Sequence, residues 1–239
     1  MADTMARIDE WRVPGGASGS IGPMGPRPDD DLAGVARAHM RVCALAVGID
    51  DATARRPSAL PDWTVGHVLT HIARNADGIR NMVEAAARGE IGMMYPGGVE
   101  QRNGDIEAGA GRSAAALADD LRSACAALDQ AWSSLSDGAW TDGMGRGPFG
   151  DRPVAALAFV RWREVQVHSL DLGIDAFDVD DLDPAYVDRE LPGQEAAYRE
   201  RSGNADLPAA AVALTPSRRL AWLIGRLAVS EAGDPGRWM

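Results

Sequence analysis

Residues 153–173 read PVAALAFVRWREVQVHSLDLG, and how this stretch folds decides how the rest of the chain must pack. Asp151 is suited to cap a helix here, Pro153 to its first turn and Gly173 to the position just past its end. On a wheel of about 100° per residue, Leu157, Val160 and Val167 fall on one side of Glu164, and Val154, Val165 and Leu172 on the other. Inside the same apolar arc lie Arg161, Glu164, His168 and Asp171. The far face carries Trp162, Arg163, Gln166 and Ser169, which can meet solvent or a neighbouring surface.

A helix that buries this arc buries four ionisable groups with it. An isolated carboxylate in a dry interior costs several kcal/mol, so it requires a partner or a metal. Glu164 and His168, four residues apart, stand one above the other and can offer two ligands to one ion. The same spacing also suits a salt-bridge cluster at the edge of the core, Arg161 with Glu164 and His168 with Asp171. Spacing alone leaves both arrangements open.

The chain is 239 residues long and 46% hydrophobic, enough for a real core in one large or two small domains. A net charge of −11 argues against nucleic acid or an anionic membrane as the main partner. All 24 basic residues are arginine, which with the Ala and Gly richness suggests a GC-rich bacterial genome. Cys43 and Cys125 cannot build a disulfide framework; each sits in an apolar helical context and reads as a buried free thiol. There is no signal-peptide core and no apolar run of membrane-spanning length, so a cytoplasmic protein, monomeric or homodimeric, is expected.

Residues 1–28 are rich in Gly and Pro and read as an extended or disordered arm. A helix follows from the Asp29–Asp31 cluster to about Val47, its acidic start complementing the helix dipole. A second helix covers about Thr64 to Arg88, with a seam of Val65, Leu69, Ile72, Ala76, Ile79 and Val83 at bundle spacing. His71 borders that seam and can lean into the core, whereas His67 points further outward and reads as an ordinary hydrogen-bonded histidine or a support. Residues 90–111 read as a long connection of the kind that forms lids or binding loops. Ser113 caps a third helix to about Leu135, and residues 136–150 read as a second loop before the fourth helix. Beyond Gly173, an acidic turn precedes a charged helix over 184–201, a strand over 209–215 (AAAVALT) and an apolar helix over 217–230.

A histidine on the second helix and E-x-x-x-H on the fourth resemble the DinB-like four-helix bundle. More closely, LPDWTVGHVLTHIARNADG (60–78), MYPGGVEQRNGDIE (94–107) and REVQVHSLDLG (163–173) resemble the mycothiol-dependent maleylpyruvate isomerase family, with weaker support from IGRLAVSEAGDPGRWM at the C-terminus. The resemblance runs from about residue 29 to the end. It implies a mainly α chain, with a DinB-like metal-binding bundle over 29–173 and a small α/β C-terminal domain over 174–239. The family's metal ligands fall on His71, Glu164 and His168, with zinc the expected ion and mycothiol or glutathione the thiol cofactor. The implied activity is cis–trans isomerisation of a small unsaturated diacid, maleylpyruvate to fumarylpyruvate. Arg226 matches a family position linked to catalysis, and Arg102 is a second candidate for clamping a substrate carboxylate. A DinB-like thiol S-transferase and a non-catalytic metal-binding module are the competing expectations.

Overall fold

The computed structural model describes residues 27–148 and 150–236. Apart from Arg27 and Pro28, the expected N-terminal arm lies outside the described residues. These fall into two compact units, divided between Ile174 and Asp175.

The first unit is built on four long helices. α1 (Asp29–Val47) starts at its three aspartates, where negative charge meets the unpaired N–H groups of the first turn. A short α2 (Asp51–Ala54) precedes α3 (Val65–Ala87), which begins at a capping box in which Thr64 and His67 satisfy each other's backbone. The seam residues of α3 are all buried, Ile79 and Val83 completely. Next come β1 (Gly92–Met93), α4 (Gly98–Ala110) and α5 (Ala114–Ser133), whose cap is the Ser113 hydroxyl. After α6 (Asp137–Asp142), a hairpin of β2 (Met144–Gly147) and β3 (Gly150–Pro153) leads into α7 (Val154–Asp171). β1 pairs parallel to β2, and β2 antiparallel to β3, giving a small sheet against one end of α3.

α3 packs on α5, α7 and α4, while α1 packs on α7 and α5. α7 is buried around most of its circumference. Its far face does not meet solvent: Trp162, Arg163, Gln166 and Ser169 are all buried. Trp162 fits because α1 offers Gly34 opposite it, where an added Cβ would come within 2.5 Å of the indole. Gly173, at φ +62°, adopts the left-handed conformation that ends the helix.

Three local expectations change in this unit. The connection over 90–111 holds β1 and the thirteen-residue α4 rather than an unstructured loop. The connection over 136–150 holds α6 and the start of the hairpin. Asp151 is not the cap of α7; it lies in β3 and pairs with Arg146 at 2.6 Å across the hairpin, and Pro153 occupies the N-cap position.

The second unit carries a short 3-10 helix (Val179–Asp181), α8 (Pro184–Arg201), α9 (Ala209–Val212) and α10 (Pro216–Leu223). Its core gathers Ala211, Trp222, Leu223 and Ala232 against Leu191 and Tyr198. The strand expected over 209–215 is instead the short helix α9. Pro208 supplies a fixed φ at its start, and successive alanines have the highest helix propensity of any residue. The expected helix over 217–230 stops at Leu223, because Gly225 turns the chain at φ +70°. The strands of the described residues all belong to the first unit.

Candidate metal centre

α3 and α7 face each other in the bundle, and their facing positions carry the polar residues that the apolar arc encloses. His71 comes from the second turn of α3, and Glu164 and His168 from successive turns of α7. One ligand atom from each lies within 4.8 Å of the other two. Nε2 of His71 is 3.4 Å from Oε2 of Glu164, and Nε2 of His168 is 3.5 Å from the same oxygen. These are long for hydrogen bonds. They are close to the spacing of about 3.3–3.4 Å between two donors that share an ion at bond lengths of about 2.0–2.1 Å and a tetrahedral angle. The His71 Nε2 atom is buried with no hydrogen-bond partner, so the interior leaves one donor of the trio without its usual satisfaction.

The surroundings orient each member. His168 Nδ1 lies 2.8 Å from Oδ2 of Asp171, one turn further along α7. That carboxylate holds a ring proton on Nδ1 and directs Nε2 towards Glu164. Asn75, one turn beyond His71 on α3, donates Nδ2 to Oε2 of Glu164 at 3.0 Å. Trp63 stands edge-on to His71 with ring centroids 5.6 Å apart, and the His71 and His168 rings meet at 4.4 Å. Glu164 is the open side, with 20% of its side chain exposed against 3% for His71 and 6% for His168.

Burial and mutual contact set the charges of the trio. Burial pushes His71 down to about 3, helped by the positive charges of His168 and Arg102 and opposed by Glu164. Burial acts in the same direction on His168, but its bonds to Asp171 and Glu164 win and hold it up at about 9. Glu164 stays well below the usual carboxylate range despite burial, because both histidines stabilise its anion. Two imidazoles and a carboxylate with one side open are a donor set suited to a divalent ion that keeps a position for another ligand.

The salt-bridge alternative is half present. His168 does pair with Asp171, but Arg161 does not meet Glu164. It donates instead to Nε2 of His39, to the Ile72 carbonyl and to Oδ1 of Asn75, each at 2.9 Å. Asn75 thus bridges Arg161 to Glu164. The sequence signal for Asn75 was its spacing of four from His71, and for Asp171 its spacing of three from His168.

Arg102 lies on α4 and is buried, with 2% exposure. Its Nη2 reaches Nδ1 of His71 at 2.9 Å, and its guanidinium lies 5.9 Å from the Tyr95 ring. It also lines a cleft of about 240 Å³ together with Arg74, Asp77, Arg80 and Asp105. His67 is occupied elsewhere: Nδ1 serves the α3 capping box with Thr64, and Nε2 faces Glu107 at 3.5 Å. Arg226 belongs to the second unit, just past α10, where Nη1 donates to the Ile224 carbonyl at 3.0 Å.

The family model described as mycothiol maleylpyruvate isomerase N-terminal domain matches residues 35–173, more than half of the chain. No curated protein matches the sequence significantly. Two solved structures share the fold, one of a mycothiol-dependent maleylpyruvate isomerase (TM-score 0.76) and one of its mutant with a histidine replaced by alanine (TM-score 0.75). Each is 22% identical to this chain, over 88% of this chain and 96% of its own length.

Proposed function

We propose, from the premise that this chain belongs to the mycothiol maleylpyruvate isomerase N-terminal domain family, that it is a metal- and thiol-dependent cis–trans isomerase. Its substrate is a small unsaturated diacid, with maleylpyruvate converted to fumarylpyruvate. The observation that carries this reading is the convergence of His71, Glu164 and His168 within 4.8 Å, with Glu164 facing the open side. A divalent ion in that donor set, zinc by its ligand types, and a low-molecular-weight thiol, mycothiol or glutathione, would together supply a thiolate at neutral pH, whose reversible addition to the cis double bond leaves a single bond free to rotate.

The chain's own residues do the rest. Asp171 holds the His168 proton on Nδ1, so that Nε2 is available. Asn75 holds the Glu164 carboxylate in place against rotation. Arg102 brings a guanidinium to the edge of the site, and a planar fork of that kind suits a carboxylate. Arg226 is the second cation assigned to the substrate, on the strength of the family match in the C-terminal segment. The pairing of metal and bundle over 29–173, with residues 174–239 as a separate domain, is part of the same reading.

The test is metal analysis of the purified protein, followed by ultraviolet absorbance with maleylpyruvate and a panel of thiols. One equivalent of zinc and isomerisation that needs both metal and a thiol are expected. A stable thioether product would replace this reading with a thiol S-transferase. Bound metal with no affinity for any low-molecular-weight thiol would replace it with a binding module.

A further inference from the structure

Arg161 faces two ways. Through Asn75 it borders the candidate metal centre, and through its other nitrogens it reaches a second buried cluster that the proposed reaction does not use. That cluster is assembled by two neighbouring helices with matched spacings of four: His39 and Cys43 on α1, Cys125 and Asp129 on α5. His39 Nδ1 meets the Asp129 carboxylate at 3.0 and 3.2 Å. One turn along from that pair, the same helix contact brings the Cys43 and Cys125 thiols next to each other. Arg161 sits beneath, with Nε on Nε2 of His39 at 2.9 Å and Nη2 on the Cys125 sulfur at 3.5 Å.

Both cysteines are free thiols, and they are the two that the chain contains. Their environments differ. Cys125 is buried at 3% exposure beside a permanent cation, whereas Cys43 is partly exposed. A guanidinium next to a sulfur favours the thiolate, and a neighbouring thiol that donates to it favours it further. In line with this, the neighbouring Cys43, opposed by burial and aided by His39 and Arg161, lowers the Cys125 thiol, while Cys125 and burial push Cys43 up.

We propose that Cys43 and Cys125 are an oxidisable dithiol that peroxide closes into a disulfide between α1 and α5. The Cys125 thiolate attacks one oxygen of hydrogen peroxide, breaking the O–O bond to give Cys125 sulfenic acid and hydroxide. The hydroxide takes the Cys43 thiol proton and becomes water. The Cys43 thiolate then attacks the Cys125 sulfur, forming the S–S bond and expelling hydroxide, which a solvent proton converts to a second water. The two thiols lose two electrons, and one peroxide is reduced to two waters. Asp129, His39 and Arg161 keep the pair aligned, and neither cysteine belongs to the trio proposed to hold the metal.

The experiment exposes the full-length protein to hydrogen peroxide under non-denaturing conditions, followed by thiol counting and mass spectrometry. The expected result is loss of both thiols together, a mass lower by about 2 Da, and a reducible cross-link between the tryptic peptides 42–55 and 123–146. In Cys43→Ser, Cys125 should stop at a sulfenic acid trapped by dimedone. In Cys125→Ser, the Cys43 thiol should be lost at least about tenfold more slowly than in the parent. A parent protein that keeps both thiols, or that gains oxygen at one cysteine without the cross-linked peptide, overturns the proposal. The readout is independent of isomerase activity, so it stands or falls separately from the function proposed above.

Discussion

The guanidinium of Arg102 lies 2.9 Å from Nδ1 of His71, and since a guanidinium can only donate, Nδ1 accepts. A neutral imidazole that accepts at Nδ1 carries its proton on Nε2, the nitrogen that faces Glu164. Coordination through Nε2 needs that proton moved or lost. On the proposed reading, metal loading would compete with the Arg102 contact, and a guanidinium displaced from His71 would become available to an anionic substrate.

Arg102→Met should accordingly tighten metal binding, by about tenfold or about 1.4 kcal/mol. Two effects act with the same sign, loss of the competing donor and loss of a positive charge beside a cation site. Methionine fills much of the buried volume, so packing should change little. At saturating metal, KM for the diacid should rise because the carboxylate has lost a bidentate partner. Chelator competition measures the first effect and steady-state kinetics the second. Weaker metal binding than in the parent protein would show that Arg102 supports His71 rather than competes with it.

His168→Ala and His67→Ala separate the candidate ligands from their neighbour. His168→Ala removes a donor on the axis to Glu164 and takes the His168 contact away from the buried Asp171 carboxylate. Most bound metal and essentially all activity should go. His67→Ala removes the side-chain half of the α3 capping box, at a cost of about 1 kcal/mol in stability, and should keep its metal. Equal metal content in the parent and His168→Ala would end the three-ligand assignment.

Asp171→Asn tests the support behind His168. The substitution preserves shape but weakens the hold on the Nδ1 proton, so metal affinity should fall by roughly 10–100-fold. The α7 C-terminus packs against the 55–64 connection through the Asp171 carbonyl, which accepts from Ala59 N at 3.0 Å, and the substitution leaves that backbone bond intact. Thermal unfolding of the metal-free variant should therefore resemble that of the metal-free parent. Unchanged metal affinity would mean that Asp171 neutralises His168 without orienting it.

The long helices were legible because their apolar residues recur at bundle spacing and their starts carry Asp29–Asp31, Thr64 and Ser113. α4 was hidden by Gly98, Gly104 and Gly109, which read as loop, although Val99, Arg102, Ile106 and Ala110 keep helical spacing. Arg102 consequently reads as part of a loop in the sequence, whereas burial of that helix face carries it to His71. The trio of His71, Glu164 and His168 needed the family resemblance, since two of its members share a helix but the third comes from 93 positions away along the chain. Arg161 was paired wrongly for the same reason. Its acceptor His39 lies 122 residues earlier, and no local spacing connects them.

Arg226 is the last assignment to test, and the C-terminal unit gives its side chain a fixed starting point. Its backbone N–H closes the end of α10 on the Ala221 carbonyl at 2.7 Å, and Gly225 before it holds the left-handed turn. The guanidinium extends from an anchored backbone, and a charge so anchored loses less entropy on meeting an anion than one on a mobile loop. If Arg226 orients a substrate carboxylate, Arg226→Ala should keep normal metal content and near-normal thermal stability while kcat/KM falls by roughly a hundredfold or more. Arg226→Lys keeps the charge but loses the planar fork, so it should also be impaired. A purely structural role makes a different forecast: stability falls with activity, and lysine, with a similar aliphatic stem, restores both. Unchanged kinetics in Arg226→Ala, with metal bound, would transfer the carboxylate to Arg102, whose guanidinium already reaches a member of the candidate metal trio.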